Sequence, residues 1–532
     1  MAESRVQKTI LNAKVNLIFY FINLAVTFFS RKVFLDSLGA DFFGLTSTIG
    51  GFIGFLSLVE LGIGNAISFA LYKPMYDKDY KKLNEIVSVL GYLYYLVGFI
   101  ILGCGIVLSM MFPYWFAGKG VSMSLVYSVF YSFLASVLLT YFVNFRQSIL
   151  SADQRNYVIT GCFQGASFIC YLLQMGVVYY FFNYTPYGGI CPYLWVVISL
   201  LTNIGCAIYL NIKINQMYPW LEAKIKLGKE KWREYPEIIK KTKQLFLHKI
   251  ASYAQLQIRP LVMFKFAAPD KFTALEMIGK YDNYNLTAGK TSSLIAVVFS
   301  GNVAGVGNLI AEGNKERIHK VYWEFFALKF FIAGLLAFGF WHLTEPFLVC
   351  WLGEQYLLTK LLLLLLIINE FIWQIRYTTD AFIMGYGLFQ DVWAPVVESI
   401  ISVVVAVLGG YFWGLEGVLL GTIVSMTLIV CIWKPYFLFK EGLKISVWGY
   451  WTNFVRYSLS LLCAVVVGNY CVEVITFDPS QSFINWGLYA VCIMSIFALI
   501  YFVFLFLLND GMRDFANRIG NMAKSKFGSK NN

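Results

Sequence analysis

Six cations and three amides stand where the chain is otherwise strongly apolar. They are Arg31, Lys32, Arg146, Arg259, Lys290 and Arg376, with Asn16, Asn23 and Gln255. A cation in a low-dielectric setting seeks an anion, and Arg offers a planar fork of donors that suits bidentate contact with one. An Arg at a bilayer centre costs about 2.5–3.5 kcal/mol by insertion scales, so it faces water or a partner. Acids are fewer. Glu60, Glu398 and Asp380 are the candidates for carrying a coupling proton, and each also reads as a partner in an ion pair. Asp380 lies one helical turn from Arg376 and can neutralise it. Snorkelling to headgroups is the competing reading for Arg31, Lys32 and Arg146.

These residues belong to helical faces. Asn12, Asn16, Tyr20, Asn23, Thr27 and Ser30 recur at spacings of 4, 4, 3, 4 and 3, which is one face of an α-helix. A helix that only sat in lipid would not carry three asparagines on one face, because each buried amide needs a partner. His248, Ser252, Gln255 and Arg259 form a second stripe at spacings of 4, 3 and 4. Pro260 follows and is expected to bend that helix by removing a backbone donor. Two polar-faced helices predict a water-filled cavity inside a membrane protein.

Composition agrees. The chain of 532 residues is 59% hydrophobic and 18% aromatic, with only 14% charged residues. An ordinary globular domain carries about 25%. The reading is an all-α polytopic membrane protein with no soluble domain. Fourteen spans are expected, at about 15–35, 42–71, 84–111, 123–150, 157–183, 190–212, 244–266, 280–309, 321–345, 357–386, 392–412, 415–438, 453–473 and 485–508. With the N-terminus inside, the inside loops and tails hold 30 of the 42 Lys and Arg, the outside loops 8 and the spans 4. Both termini are therefore expected on the cytoplasmic side. The net charge of +12 reflects topology and attraction to anionic headgroups rather than nucleic-acid binding. No cleavable signal peptide is expected, since the first apolar segment is long and Arg31-Lys32 follows without a small-residue cleavage site.

The segment 213–243, rich in Lys and Glu, reads as a cytoplasmic amphipathic linker. It divides the chain into an N-terminal lobe of six spans (1–212), a C-terminal lobe of six (244–438), two extra helices (439–508) and a basic tail (509–532). An internal echo supports this: Gly62-Ile63-Gly64-Asn65 near the end of the second span, and Gly305-Val306-Gly307-Asn308 near the end of the eighth. Ten scattered cysteines without a CxxC pair and only three histidines argue against a disulfide framework and a metal site. Gly289-Lys290-Thr291 mimics the end of a phosphate-binding loop. Tyr284 occupies the place of its first glycine, and no strand precedes it. No cofactor is expected.

The stretch RKVFLDSLGADFFGLTSTIGGFIGFLSLVELGIGNAISFALY, from Arg31 to Tyr72, closely resembles the start of Wzx-type polysaccharide flippases, in the multidrug/oligosaccharidyl-lipid/polysaccharide exporter superfamily. The matching features are Leu38-Gly39, Gly44-Leu45, Glu60 to Gly64 and Leu71 to Pro74. Leu150 to Gln154 (LSADQ), Tyr281 to Tyr284 (YDNY), Gly307 to Leu309 and Gly417 to Thr422 (GVLLGT) follow in order. The resemblance implies two six-helix lobes around a central vestibule, and alternating access that moves a polyprenyl-pyrophosphate-linked oligosaccharide from the cytoplasmic to the periplasmic leaflet of a bacterial inner membrane. Spans thirteen and fourteen would form a groove for the lipid tail. A polysaccharide polymerase and glycosyltransferases would be functional partners, and the protein would act as a monomer. The match breaks at Arg259, where relatives carry an acid in the seventh helix, so ion coupling is not transferred to that helix. Intramembrane cations suit a diphosphate, and Asn and Tyr suit sugar hydroxyls. A cation-coupled drug antiporter of the same superfamily would be expected to have acids early in the chain, and the first span has none before Asp36. A membrane polymerase or ligase would be expected to carry a large outside loop with paired Arg or acids.

Overall fold

The computed structural model describes residues 5–60, 63–118, 120–266, 274–299 and 306–528, less positions 308, 311, 389 and 392. Its described elements are helices throughout. They are α1 (Arg5–Leu56), α2 (Ile63–Asp77), α3 (Tyr80–Ser109), α4 (Phe112–Phe116), α5 (Met123–Phe142), α6 (Ser148–Ala152), α7 (Asn156–Tyr184), α8 (Cys191–Met217), α9 (Ile225–Lys231), α10 (Pro236–Phe266) and α11 (Ala274–Phe299). There follow α12 (Lys315–Trp351), α13 (Lys360–Tyr386), α14 (Trp393–Met426), α15 (Lys434–Phe437), α16 (Trp448–Glu473), α17 (Phe483–Leu508) and α18 (Asp510–Gly528).

Ten elements among the described residues are long and apolar enough to cross a membrane. Twelve of the expected spans overlap these ten elements, with two physical differences. The first and second spans lie in one element, Lys14–Glu60, and the eleventh and twelfth in another, Trp393–Leu443. Each of those elements bends where a glycine takes a backbone conformation that other residues rarely adopt: Gly39 at φ 79° and Gly414 at φ 59°. The seventh and eighth spans form helices α10 and α11, but these are more polar than the ten. The second span is also interrupted. A 3₁₀ turn, Ser57–Glu60, ends its first part, and α2 resumes at Ile63, inside the Gly62–Asn65 motif.

Chain contacts group the structure into two compact units, Met1–Gly279 and Lys280–Asn532. The dividing point lies within α11 rather than in the 213–243 segment. In the first unit α1 packs along α7 and α10, α7 packs on α8, and α3 packs on α5 and α9. Helix α10 continues through Pro260, whose Cβ lies 2.9 Å from where a Cβ on Gly51 would stand. In the second unit α12 is the hub, contacting α13, α17 and α18. Its core is aromatic. Tyr322, Trp323, Phe326, Phe330, Tyr457 and Tyr501 are buried together, and Phe338 stacks on Phe497 with ring centres 3.8 Å apart. Ring stacking adds about 0.5–1.5 kcal/mol per pair beyond area burial. That matters in lipid, where hydrophobicity alone does not draw helices together.

The segment after α8 does not lie loose on a surface. Asn84 Nδ2 donates to the Trp220 carbonyl (3.1 Å), the Glu222 amide donates to Asn84 Oδ1 (2.7 Å), and the Lys224 amide donates to Ser88 Oγ (3.0 Å). Tyr235 OH donates to Glu85 Oε2 at 2.7 Å. Burial and this carboxylate push the Tyr235 hydroxyl's pKa above its ordinary value. A methyl at Gly228 would run into the Ser88 carbonyl, so α9 sits directly on α3. The tail is likewise docked: Lys320 pairs with Asp514 (2.9 Å) and Arg518 with the buried Glu324 (2.8 Å), joining α18 to α12. Asn509 Nδ2 donates to Ser460 Oγ at 2.8 Å.

Candidate functional site

The polar stripe of α1 is a ladder whose lower rungs hold α7. Asn12 donates to the Gln154 carbonyl (2.9 Å) and accepts from the Tyr157 amide (2.6 Å). Asn23 Nδ2 donates to Gln164 Oε1 at 2.6 Å. Ser30, buried, donates back to the Thr27 carbonyl. Asn16 is exposed, while Tyr20 and Thr27 are half-buried. One face thus combines helix-to-helix hydrogen bonds with accessible polar groups.

At the N-terminal end of this ladder the LSADQ motif acts as a knot. Lys8 Nζ meets Asp153 Oδ1 at 2.6 Å, Arg155 Nε meets Asp153 Oδ2 at 3.1 Å, and Tyr218 OH donates to Asp153 Oδ2 at 2.7 Å. One carboxylate ties the start of α1, the start of α7 and the end of α8. Burial first, then Asp153, raises the Tyr218 hydroxyl's pKa well above its usual value. Gln154 carries this turn at φ 60°.

At the opposite end stands Arg31, half-buried and four residues beyond Thr27. Its guanidinium lies over the Phe43 ring, 3.9 Å from the centroid, and Nη2 makes a long contact of 3.5 Å with the Gly279 carbonyl. Cation–π contact lets the guanidinium keep its charge. Lys32 is exposed. Arg146, in the 3₁₀ turn Asn144–Gln147, donates from Nη2 to the Leu221 carbonyl at 2.8 Å, which holds the segment after α8. Glu60 accepts a 2.8 Å hydrogen bond from Tyr94 OH at the end of the 3₁₀ turn that breaks the second span. Arg259 and Lys290 are both half-buried, on α10 and α11. The side chains of His248, Ser252 and Gln255 lie outside the described residues, so the second stripe cannot be placed beyond Arg259.

Arg376, Asp380 and Glu398 converge. Arg376 Nε meets Asp380 Oδ2 at 2.6 Å, and Nη1 meets Glu398 Oε1 at 3.5 Å. Lys434 Nζ completes the cluster at 2.6 Å from Asp380 Oδ1. Two cations and two acids balance. Lys434 opens α15, which lies between two π-helical stretches, Thr427–Trp433 and Leu438–Leu443. Sequence reasoning found the Arg376–Asp380 pair from its spacing but missed Lys434, because nothing local links positions 380 and 434. It also passed over Lys329, 1% exposed and 4.3 Å from the Tyr377 ring centre. Glu370 accepts from Ser292 Oγ at 2.6 Å beside a small pocket whose lining includes Tyr284, Thr287 and Thr344. Among the described residues no group of three or more His, Cys, Asp or Glu could hold a metal ion.

No family model matches the chain. A putative O-antigen export protein of Yersinia pseudotuberculosis is 22% identical over 453 residues, covering 78% of this chain and 92% of that one. Among solved structures, the lipid II flippase MurJ in an inward closed conformation superposes with a TM-score of 0.62 at 17% identity, over 93% of this chain and 99% of that one. An inward-facing multidrug resistance MATE family transporter of the MOP superfamily reaches 0.57 at 15% identity, over 81% and 99%. The chain therefore has the polytopic helical fold that MurJ and this MATE transporter share.

Proposed function

We propose that this chain, built on the fold of MurJ and MATE transporters, is a non-catalytic flippase for a polyprenyl-pyrophosphate-linked oligosaccharide in surface polysaccharide biosynthesis. It moves its substrate by alternating access across a bacterial inner membrane, with both termini cytoplasmic. The observation that carries this reading is the α1 ladder crowned by Arg31. Exposed or half-buried Asn16, Tyr20 and Thr27 offer sugar-compatible donors and acceptors along one face. Arg31 then offers a guanidinium held by a ring face and a carbonyl. The export role named for the Yersinia relative and the lipid II substrate named for MurJ lie in the same chemical class. In this reading Arg259 and Lys290 join Arg31 in binding diphosphate, with Lys32 at the rim and Asn16, Asn23 and Gln255 along the sugar path. Glu60 is the coupling acid of the first lobe. Arg146, Arg376, Asp380 and Glu398 carry less of the substrate, since each is engaged in holding the fold. The lobes, 1–212 and 244–438, alternate in their openings with the 213–243 segment carried on the first, and helices 439–508 take the lipid tail. A polymerase and glycosyltransferases stand up- and downstream, and the protein acts as a monomer.

A deletion strain tests this through leaflet accessibility of the lipid-linked intermediate, which should collect on the cytoplasmic leaflet and be cleared by the restored gene. Normal outward exposure without the gene would reject the flippase reading. Loss of drug resistance instead would favour an antiporter. Arg259→Ala or Arg259→Gln should stop export at normal protein levels, and Arg259→Lys should retain part of it because charge survives while the fork is lost. Full export by Arg259→Ala would remove Arg259 from the substrate path.

A further inference from the structure

A single residue, Asn509, separates the strongly apolar α17 from α18. Its backbone is extended (φ −130°, ψ 123°), and its buried side chain is fixed on Ser460. Helix α18 therefore starts at the level where a span leaves the bilayer. Its first turns are built onto the protein. A methyl on Gly511 would run into the Trp323 carbonyl, Met512 is buried, and Phe515 packs against the aromatic core. Asp514 and Arg518 pair with Lys320 and Glu324 of α12. From Asn517 to Asn521 every residue is exposed, Ile519 to 49%. The apolar pattern that docks the first turns does not stop there. Met512, Phe515, Ala516, Ile519, Met522 and Ala523 recur at spacings of 3, 1, 3, 3 and 1, one side of a helix whose backbone runs on to Gly528. That side is covered by protein at Met512 and uncovered at Ile519. The stretch 510–532 also carries Arg513, Arg518, Lys524, Lys526 and Lys530 against only Asp510 and Asp514.

We propose that the distal half of α18 binds the anionic phospholipid surface of the leaflet from which α17 emerges. A helix with an apolar stripe and a cationic remainder lies in the plane of a bilayer interface, stripe towards the acyl chains. Anionic headgroups attract such cations over about a Debye length, and α18 starts within that distance because one residue joins it to a span. The segment 518–528 is about 16 Å long at 1.5 Å per residue, so it meets several headgroups rather than one. The same segment of a second copy carries the same excess of positive charge and is repelled. Asp514 and Arg518 tie the preceding turn to Lys320 and Glu324, so the lipid contact reaches the first turns of α12, the hub of the second unit. The inference stands apart from the flippase reading, since it uses no substrate.

The test uses the full, unmodified chain in nanodiscs of phosphatidylcholine alone or of phosphatidylcholine mixed with phosphatidylglycerol. Amide hydrogen exchange is read across 510–528. In the mixed discs the amides of 517–528 should exchange roughly tenfold more slowly than in phosphatidylcholine, and high salt should erase the difference. The amides of 510–516, held by protein, should be alike in both lipids. Replacing Lys524, Lys526 and Lys530 together by Gln should abolish the lipid response, and Ile519→Asp should return exchange in the mixed discs towards the phosphatidylcholine rate. Equal exchange in the two lipids, or a lipid response that survives the triple substitution, overturns the proposal. So does protection that grows with the number of chains per disc, which would make a second copy the occupant. Protection in phosphatidylcholine discs that appears only on adding a lipid-linked diphosphate would assign the surface to that molecule instead and equally overturn it. The lipid and salt comparisons need no substitution, so they decide the matter even if a variant folds poorly.

Discussion

Arg31 and Arg376 are both arginines deep in apolar helices, and their surroundings differ in kind. Arg376 lies between Asp380 and Glu398, with Lys434 on the far side of Asp380, so its charge is matched inside the protein. Arg31 touches an aromatic face and a main-chain carbonyl, contacts of a different kind from a matched carboxylate pair. An intramembrane cation is therefore not a functional residue by position alone. Its neighbours decide whether the charge serves the fold or a ligand.

The comparison is broken most easily at the balanced cluster. Asp380→Ala leaves Arg376 and Lys434 with Glu398 as the one remaining acid of the cluster, and should cost about 3–5 kcal/mol of stability, read as a large drop in melting temperature in detergent. Pairing Asp380→Asn with Arg376→Met leaves Lys434 and Glu398 in balance and should recover most of that loss. If the double variant is as unstable as Asp380→Ala, the cluster is not held by charge balance. Arg31→Gln should show the opposite pattern: a melting temperature close to the parent, and export lowered at least tenfold, the equivalent of about 1.5–3 kcal/mol for a lost charged hydrogen bond. A large fall in stability there would place Arg31 with Arg376. Asp153→Asn loosens three partners at a partly solvated site, and about 1 kcal/mol is expected after allowing for screening. The smallest effect sharpens the ladder. Asn23→Leu should lose about 0.6 kcal/mol, a typical interhelical hydrogen bond in lipid, whereas exposed Asn16→Leu should leave stability unchanged and lower export. Matching stability losses at both positions would make the whole face structural.

Much of the fold was legible because hydropathy and helical periodicity are local. The first stripe, the Arg376–Asp380 pair and the helical class all follow from spacings of three, four and about twenty residues. What escaped depends on distance along the chain. Lys434 reaches Asp380 across 54 positions, and the Arg31 contact to Gly279 spans 248. The partners of Arg146 and Lys224 are a backbone carbonyl and a serine hydroxyl, groups that carry no pattern in a sequence. At Gly39 and Gly414 the sequence reading separates two spans, and the structure joins them in one element bent at a single glycine. Asparagines on a helix face signal polarity but not its use. Asn12 and Asn23 hold α7, while Asn16 stays accessible.

The docked stretch 218–235 also bears on how such a chain is made. Its described side-chain anchors, Asn84, Glu85, Ser88, Arg146 and Asp153, all precede it in the sequence. During synthesis they are already in the membrane when residues 218–235 leave the ribosome. The stretch can therefore cover the first turns of α3 and α7 before α10 is made. The first six spans then reach a nearly finished state early, with their polar ends covered. Later helices assemble against a settled template rather than an open bundle, which shortens the time that apolar faces and unpaired amides stay exposed to wrong partners.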